Sequence, residues 1–342
     1  MDKHQIKSIA FPAISCGAYK YPADKACEID HSQKLKNAMK DKFEGALVGL
    51  AVGDAVGTTL EFKTRGSFIP IKDMEGGGPF RLSKGEWTDD TSMALCLTNS
   101  LLTKKGFDPI DQMNRYCNWW RVGYMSSTGD CFDIGGTVIK ALDKFLECSD
   151  PFSGSIEEDA AGNGSLMRLA PIPIFYATNR ELAIKYAGES SRTTHGTAEC
   201  IDSCRLFTNL ILEAFCANNK EEIFEKNPYE AYAPKVVSIA NKEFLSKSYE
   251  ELTGSGYVIE SLESALWCFM EADSFEEAIL LSANLGNDAD TTAAICGQIA
   301  GAYYGFSGIP EKWSSSIVMA NEIKQWANDL ATTGQLELEK TR

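Results

Sequence analysis

The sequence is poor in the residues that build zinc sites. It has three histidines in 342 residues, and none of its 11 cysteines stands in a C-x-x-C pair. Structural zinc sites need four Cys or His ligands at short spacings, so we expect no zinc finger or zinc ribbon. An odd number of cysteines, with no recognisable secretory leader after Met1, predicts a reducing, cytoplasmic environment rather than a disulfide scaffold.

Positive charge is also scarce. The chain has 33 basic and 48 acidic residues, which gives a formal net charge of −15. Nucleic acids and anionic membranes repel such a surface, so we expect neither as a partner. We also find no segment that combines the length and apolarity of a membrane span, and expect none.

The alternating pattern of a half-buried strand is missing after residue 42. Apolar residues instead recur at helical spacing, and no linker divides the series. The pattern predicts an all-α fold, a compact orthogonal bundle of many helices over residues 41–335, followed by a short tail at 336–342. The predicted helices cover residues 43–60, 92–102, 109–121, 137–145, 180–191, 196–217, 234–244, 258–271 and 274–284, with a further helix after 162–168 that Pro171 and Pro173 interrupt.

Small residues mark the helices that should pack closely. Residues 43–60 carry glycine at every fourth position from Gly45 to Gly57, and the apolar run 293–304 carries Gly297 and Gly301. Without a side chain, glycine lets two helix backbones approach each other. The intervening loop, 65–86, is longer than a plain connection needs, which favours a functional role.

Two clusters of aspartate and threonine each open an apolar helix. The first contains Thr88, Asp89 and Asp90, and the second contains Asp288, Asp290 and Thr291. A single cluster is explained by an N-cap, which needs one short side-chain acceptor. Two clusters of the same composition favour a shared site for a hard cation, with two independent caps as the alternative.

The first thirty residues differ from the rest. Residues 6–12 read as a strand, 13–22 as a turn-rich loop and 23–29 as a short helix, with a charged connector at 30–42. The loop Ser15-Cys16-Gly17-Ala18-Tyr19-Lys20-Tyr21-Pro22 resembles the part of a macrodomain that wraps the diphosphate of ADP-ribose. A fragment of this length cannot fold alone, so residues 1–40 are interpreted as an arm on the main domain or as a relic.

Six motifs in order resemble the ADP-ribosylglycohydrolase family, of the dinitrogenase-reductase-activating type, over roughly residues 43–330. The motifs are Gly53-Asp54-Ala55-Val56-Gly57 with Glu61, Thr88-Asp89-Asp90-Thr91, Ser127-Thr128-Gly129-Asp130-Cys131-Phe132-Asp133-Ile134-Gly135, Asn163-Gly164-Ser165-Leu166-Met167-Arg168, Thr194-His195 and Gly286-Asn287-Asp288-Ala289-Asp290-Thr291-Thr292. The resemblance implies an all-helical fold, two Mg²⁺ or Mn²⁺ ions, and removal of ADP-ribose from modified side chains, most often arginine.

The resemblance also implies a set of metal ligands and catalytic acids. Oxygen ligands without His or Cys suit Mg²⁺ or Mn²⁺ rather than zinc. Two such ions could polarise the ribose hydroxyls and organise a water, while a carboxylate activates that water or protonates the leaving guanidine. The implied ligands are Thr88, Asp89, Asp90, Asp288, Asp290 and Thr291; the candidate catalytic acids are Asp89, Asp90 and Glu61, among which the sequence does not choose.

The remaining motif residues are candidates for contacts with ADP-ribose. A glycine-rich helix start offers backbone N–H groups to a diphosphate. Asp54 is interpreted as structural, orienting its own helix through local hydrogen bonds. The candidate substrate contacts are Asn163, Gly164 and Ser165 at the diphosphate, His195 at the phosphates or ribose, Tyr124 and Phe132 stacked on adenine, and Gly129 in the same loop as Phe132.

Three functions remain open from the sequence. The first is a metal-dependent hydrolase that removes ADP-ribose from arginine in an ADP-ribosylated protein. The second is the same reaction at serine or another O-linked site, since the ribose and metal contacts would be shared. The third is an immunity protein whose residues 1–40 bind and block an ADP-ribosyltransferase toxin, alone or in addition to hydrolysis.

Overall fold

The computed structural model describes residues 23–340, and their side chains from residue 36 onwards. From Asp41 on, the described residues belong to one compact unit. The strand and ligand loop predicted over residues 6–22 lie outside the described part. Within it no sheet forms, and only three isolated bridges pair extended residues. The all-α prediction is therefore confirmed.

Fourteen α-helices, α1 to α14, follow one another in the described residues. They span Ala23–Gly57, Asp89–Lys104, Pro109–Val122, Gly136–Cys148, Pro171–Phe175, Arg180–Arg192, Ala198–Ala214, Lys220–Glu225, Pro234–Ala240, Val258–Glu271, Phe275–Ala283, Ala289–Tyr304, Glu311–Ser314 and Ala320–Lys340. Short 3₁₀ turns occur at Thr58–Leu60, Glu158–Ala160, Glu243–Ser246, Tyr249–Glu251 and Phe306–Gly308.

Two sequence predictions about helix ends are wrong. The charged stretch 30–42 is part of α1 and not a connector, because it has no glycine or proline and is rich in good helix formers. The predicted helix after 162–168 is a series of turns, and α5 begins at Pro171. Proline suits the first helical position, where its missing N–H would have no partner, so it starts this helix and does not interrupt it.

Helix α12 forms the centre of the unit. Every residue from Ala289 to Ala302 is buried, and the helix packs against α2, α7, α10 and α11. Its contact with α1 is a ladder of glycines: a Cβ added at Gly49 would overlap the carbonyl oxygen of Gly297, and one added at Gly53 would overlap that of Ala293. The close helix packing predicted from the small residues is confirmed.

The ladder has a consequence for function. It continues to Gly57, where an added Cβ would overlap the backbone of Ala289. Since Ala289 is the first residue of α12, the carboxyl end of α1 is held against the amino end of α12 at backbone contact distance. Asp54 and Glu61 on one side, and Asp290 on the other, are thereby placed together.

The expectation that no segment is suited to cross a bilayer is wrong if length and composition are the only criteria. The stretch Lys36–Leu60 is long and apolar enough. However, 94% of its most apolar window is buried inside the protein. The hydrophobicity of this stretch is that of a helix at the core.

Candidate active site

The two acidic clusters meet although about two hundred residues separate them. The hydroxyl oxygen of Thr88, the N-cap residue of α2, lies 3.0 Å from Asp90 Oδ2 and 3.3 Å from Asp290 Oδ2. Asp90 and Asp290 are fully or almost fully buried. The amino ends of α2 and α12 therefore converge on one buried site, as the shared-site interpretation predicts.

Asp54 caps helix α2 from a distance. Its Oδ1 accepts hydrogen bonds from the backbone N–H and the hydroxyl of Thr88 at 2.8 and 2.9 Å. Its Oδ2 accepts from the N–H and hydroxyl of Thr91 at 3.0 and 2.6 Å. The interpretation of Asp54 as a structural residue fits, but its bonds are not local: it satisfies the orphan N–H groups of another helix.

Several oxygens in this cluster have no hydrogen-bond partner. They are Asp90 Oδ1, Asp290 Oδ1 and Glu61 Oε2. Ligand atoms of Asp54, Asp90 and Asp290, and those of Glu61, Asp133 and Asp290, lie within 4.8 Å of one another. Buried carboxylates are normally paired or bound to metals, and in the described part of the chain no lysine or arginine forms an ion pair with them.

The hydroxyl of Thr88 gives a second reason to place a cation here. It has one proton, yet carboxylate oxygens of Asp54, Asp90 and Asp290 all lie within 3.3 Å of it. At least two of these contacts therefore bring lone pair against lone pair unless a proton or a cation lies between them. The donor set of carboxylates and a hydroxyl fits a hard divalent cation such as Mg²⁺ or Mn²⁺.

Burial and mutual repulsion raise the pKa values of these acids. The pKa of Glu61 rises to about 9, first through burial and then through the charges of Asp133 and Asp288. Burial followed by repulsion also raises the pKa of Asp133 to about 7, and holds the pKa values of Asp90 and Asp290 well above the usual range. Without a cation, the cluster therefore retains protons at neutral pH.

Asp133 is a site residue that the sequence reasoning missed. It lies in the loop before α4, with a left-handed φ of 57°, and it joins Glu61 and Asp290 in one of the two acidic groups. The sequence motif includes it, but substrate contact is predicted there for the neighbouring Phe132. A carboxylate between Phe132 and the glycines that begin α4 is the signal that could have identified it.

A cavity of about 730 Å³ opens beside the acids. Two chemical groups stand out in its lining. One is acidic, and the other is polar and glycine-rich. The first contains Glu61, Asp89, Asp133, Asp288 and Thr291; the second contains Gly162, Asn163, Gly164, His195, Ser255 and Gly256.

His195 contributes a neutral N–H donor to this lining. Arg168, which can only donate, gives a hydrogen bond to Thr194 Oγ1 at 2.7 Å. The hydroxyl hydrogen of Thr194 can then be donated to His195 Nδ1, 2.8 Å away. In this arrangement the ring carries its own proton on Nε2. Burial, followed by the charge of Arg168, lowers the pKa of His195 to about 3, which keeps the ring neutral.

The glycines beside His195 leave room for its ring. A Cβ added at Gly164 would lie 2.7 Å from His195 Cε1 and 3.1 Å from its Nε2. Asn163 is fixed on the other side, because its Nδ2 donates to Asp288 Oδ2 at 2.7 Å and to Ser261 Oγ at 2.8 Å. This bond links the polar part of the lining to the acidic cluster.

Four of the candidate substrate contacts are not among the cavity-lining residues. Tyr124 accepts a hydrogen bond from Arg115 at 3.0 Å, and Ser165 is buried against Ser191, whose hydroxyl lies 2.9 Å away. Phe132 packs on Phe80 with ring centroids 5.2 Å apart, and Gly129 is exposed with a φ of 87°. Of the predicted substrate contacts, the structure places Asn163, Gly164 and His195 in the lining.

Comparison with known proteins gives the same family as the motifs. The profile of the ADP-ribosylglycohydrolase family matches residues 35–339, and that of the Macro domain matches residues 1–29. The chain is 42% identical to ADP-ribosylarginine hydrolase Tri1 of Serratia proteamaculans (strain 568), over 89% of this chain and 81% of that protein. It is 30% identical to ADP-ribosyl-[dinitrogen reductase] glycohydrolase of Rhodospirillum rubrum, over 83% and 93%.

A solved structure extends the likeness to three dimensions. The chain described as an ADP-ribosylglycohydrolase-related protein complex superimposes with a TM-score of 0.78 at 38% identity, covering 87% of this chain and 99% of the other. The family profile spans the helical unit and every residue of the acidic cluster and cavity described above. This chain belongs to the ADP-ribosylglycohydrolase family.

Proposed function

We propose that this protein is a metal-dependent hydrolase that removes ADP-ribose from arginine side chains of ADP-ribosylated proteins. The observation that carries the proposal is the buried cluster at the ends of α1, α2 and α12, whose carboxylate oxygens lack partners beside an open cavity. The arginine linkage is supported by two relatives, 42% and 39% identical, that are named ADP-ribosylarginine hydrolase Tri1.

The ions in this proposal are two Mg²⁺ or Mn²⁺. When bound, such ions polarise ribose hydroxyls and lower the pKa of water. Asp54 is not included among the ligands, because its two carboxylate oxygens already accept four hydrogen bonds from Thr88 and Thr91. The residues that would hold the ions are Thr88, Asp89, Asp90, Asp288, Asp290 and Thr291.

Glu61 is the acid that we assign to proton transfer. It lines the cavity, it is almost fully buried, and its Oε2 has no partner. A carboxyl group whose pKa is raised to about 9 holds a proton at neutral pH, which it can donate to the departing guanidine. The carboxylate that results can then accept a proton from the attacking water. Asp133, which faces the same acids, would stabilise positive charge that develops on the ribose.

The polar part of the lining would bind the rest of ADP-ribose. His195, a neutral ring whose Nδ1 lies 2.8 Å from the Thr194 hydroxyl, would offer its Nε2–H as a donor, and Asn163 donates a hydrogen bond to Asp288. An uncharged donor orients a phosphate or ribose oxygen without the strong screening by salt that affects surface charges. The two groups of lining residues therefore suit the two ends of one ligand.

The test is release of ADP-ribose from a panel of linkages. Arginine-, serine- and nucleic-acid-linked ADP-ribose are supplied with Mg²⁺ or Mn²⁺, to the wild type and to a double variant, Asp89→Ala with Asp290→Ala. We expect release from arginine and a loss of at least about 100-fold in the double variant. Asp143→Ala, which removes an exposed aspartate on α4, is the control.

Two results would contradict the proposal. Undiminished release by the double variant would remove the metal-site assignment. Release confined to the serine-linked or another O-linked substrate would leave the fold and metal site but reject arginine as the target.

A second candidate function concerns residues 1–40. The Macro profile matches residues 1–29 alone, a fragment of an ADP-ribose-binding domain. This favours an arm that enters the active site of an ADP-ribosyltransferase toxin and blocks it, so that the protein confers immunity in the cytoplasm. The prediction is that deleting residues 1–35 weakens binding to a cognate transferase at unchanged hydrolysis; equal affinity with and without the arm would reject it.

A further inference from the structure

Phe62 lies exposed at the mouth of the cavity. It is one of the lining residues, yet 68% of it is open to solvent. The other exposed lining residues are three glycines and Asn287. Among the exposed lining residues, Phe62 is therefore the one with a large apolar side chain.

The backbone holds Phe62 in a conformation that a phenylalanine rarely adopts. Its φ is 59°, in the left-handed region, and the φ of Asn287 opposite is 57°. Two hydrogen bonds tie these segments together: Phe62 N–H donates to the Asn287 carbonyl at 2.6 Å, and Asn287 N–H donates to the Lys63 carbonyl at 2.7 Å. Strain of this kind persists only when surrounding structure enforces it, and it occurs often at functional sites.

Arg65 anchors the same segment. Its Nη1 and Nη2 donate to the carbonyl oxygens of Tyr249 and Leu252 at 2.8 and 2.6 Å, and its guanidinium lies over the Tyr249 ring. The segment is thus fixed at both ends, with Glu61 directly before Phe62 and Asp288 directly after Asn287. The backbone of Phe62 is therefore held beside two acids of the cluster.

One side of the ring has a neighbour. Its centroid lies 6.4 Å from that of Phe80, with the planes at 70°, and Phe80 in turn packs on Phe132. The remainder of the ring faces solvent at the opening. When ADP-ribose lies in the cavity, the side chain that carries it must extend out through this opening. The backbone of the substrate protein remains outside, because it cannot enter the cavity.

We propose that Phe62 is a specificity-determining residue that stacks on the guanidinium of the ADP-ribosylated arginine. The inference rests on the proposed function and names the part of the substrate that this ring contacts. A planar cation is attracted to an aromatic face, and arginine stacks in this way more often than lysine. The stacking would hold the leaving group next to Glu61, the acid assigned to its protonation.

The chemistry separates this role from binding of ADP-ribose itself. Free ADP-ribose has no guanidinium, so a ring that contacts only the leaving group does not change its affinity. A ring that stacks on adenine would change the affinity for ADP-ribose and the turnover of the arginine substrate alike. The two roles therefore differ in a measurable ratio.

The experiment compares Phe62→Leu, Phe62→Trp and Ile69→Ala in the full chain. Phe62→Leu keeps an apolar side chain without a ring, Phe62→Trp keeps a ring, and Ile69→Ala truncates an apolar residue that is 89% exposed and nearby in sequence but outside the cavity lining. For each, kcat/KM is measured on an arginine-ADP-ribosylated peptide, and Kd is measured for free ADP-ribose, both with Mg²⁺ present.

We expect Phe62→Leu to lower kcat/KM by about 3- to 10-fold, mainly through KM, with Kd for ADP-ribose unchanged. Phe62→Trp should retain wild-type turnover, as should Ile69→Ala. An equal loss in both measurements for Phe62→Leu would place the ring on ADP-ribose and overturn the proposal, as would unchanged turnover. If the wild type does not release ADP-ribose from arginine at all, the proposed function fails and this inference fails with it. If the wild type is active and only the result expected for Phe62→Leu is not observed, this inference alone fails.

Discussion

At the scale of single residues, the site combines acids that repel one another with neutral donors. Glu61, Asp90 and Asp290 each keep an oxygen without a hydrogen-bond partner, whereas Asn163 and His195 are fixed by bonds to neighbours. The first set needs a proton or a cation to be stable in the folded protein. The second set is held in place by hydrogen bonds within the protein.

Stability of the metal-free protein should fall as pH rises from about 7 to about 9. Glu61 has a pKa of about 9 in the folded protein against 4.5 as the reference value. The folded state therefore binds more protons than the unfolded state between pH 4.5 and about pH 9. The free energy of unfolding decreases as pH rises through this range, which includes the interval from about pH 7 to about pH 9. His195, whose pKa is lowered, acts in the opposite direction but only below its reference value of 6.5.

Thermal unfolding with a chelator, and again with Mg²⁺ or Mn²⁺, checks this expectation. We expect a drop in Tm from about pH 7 to about pH 9 with the chelator, and a smaller drop with the cation, because the cation favours ionised carboxylates. Glu61→Gln stays neutral at every pH and should make the metal-free profile less steep, with Asp133, Asp90 and Asp290 contributing the remaining pH dependence. A profile that is equally flat in the wild type and in Glu61→Gln would contradict the assignment of Glu61.

At the scale of elements, contact between α1 and α12 sets the position of the acids. A Cβ added at Gly49 would overlap the carbonyl oxygen of Gly297, and neither backbone can move without shifting a buried helix. We expect Gly49→Ala to lower the free energy of unfolding by about 2–3 kcal/mol or more. Urea unfolding measures this, and Gly106→Ala, where the nearest atom is 3.7 Å away, is the control with a change within about 0.5 kcal/mol.

A Gly49→Ala variant as stable as Gly106→Ala would mean that the two helices are not in backbone contact. Since Glu61 and Asp290 are brought together by the same ladder, the variant should also lose activity beyond its loss of folded protein. Activity per folded molecule separates these two effects.

The elements that the sequence predicts well are those with strong local patterns. The helix over Val258–Glu271 has the predicted bounds, because its apolar period is clear and residue 257 ends a glycine-containing turn. The prediction for Pro171 is wrong, since a proline inside an apolar run indicates a break unless its position as a first helical residue is known. The connector predicted over residues 30–42 is also wrong, because charged residues without apolar periodicity resemble a connector, whereas the helix predicted over 23–29 is part of α1.

At the scale of the whole molecule, the sequence predicts those residues of the candidate site that lie at the start of a helix. Thr88, Asp90 and Asp290 each stand at a helix start, so composition alone suggested that they share a site. Asp133 has no such signal, because its role depends on a left-handed loop residue turning toward acids far away in sequence. The capping of α2 by Asp54, 34 residues earlier, likewise depends on tertiary packing.

The cavity also shows why loop residues were harder to assign than helix starts. Tyr124, Gly129 and Phe132 belong to the loop before α4, which leads toward the site, but only residues from Asp133 onwards in this loop reach the cavity lining. A motif in a loop identifies the segment, whereas the direction of each side chain depends on backbone angles that no local pattern gives. The same limit hid Phe62, whose left-handed φ of 59° no local pattern indicates.

The measurement that tests the account most directly is release of ADP-ribose from an arginine-ADP-ribosylated protein as metal is removed and restored. The wild type is stripped with a chelator, assayed, and assayed again after Mg²⁺ or Mn²⁺ is added in excess of the chelator. The account predicts that release stops on stripping and returns with either ion, because the partnerless oxygens of Asp90 and Asp290 need a cation to act. Release that continues undiminished in the stripped protein would contradict it.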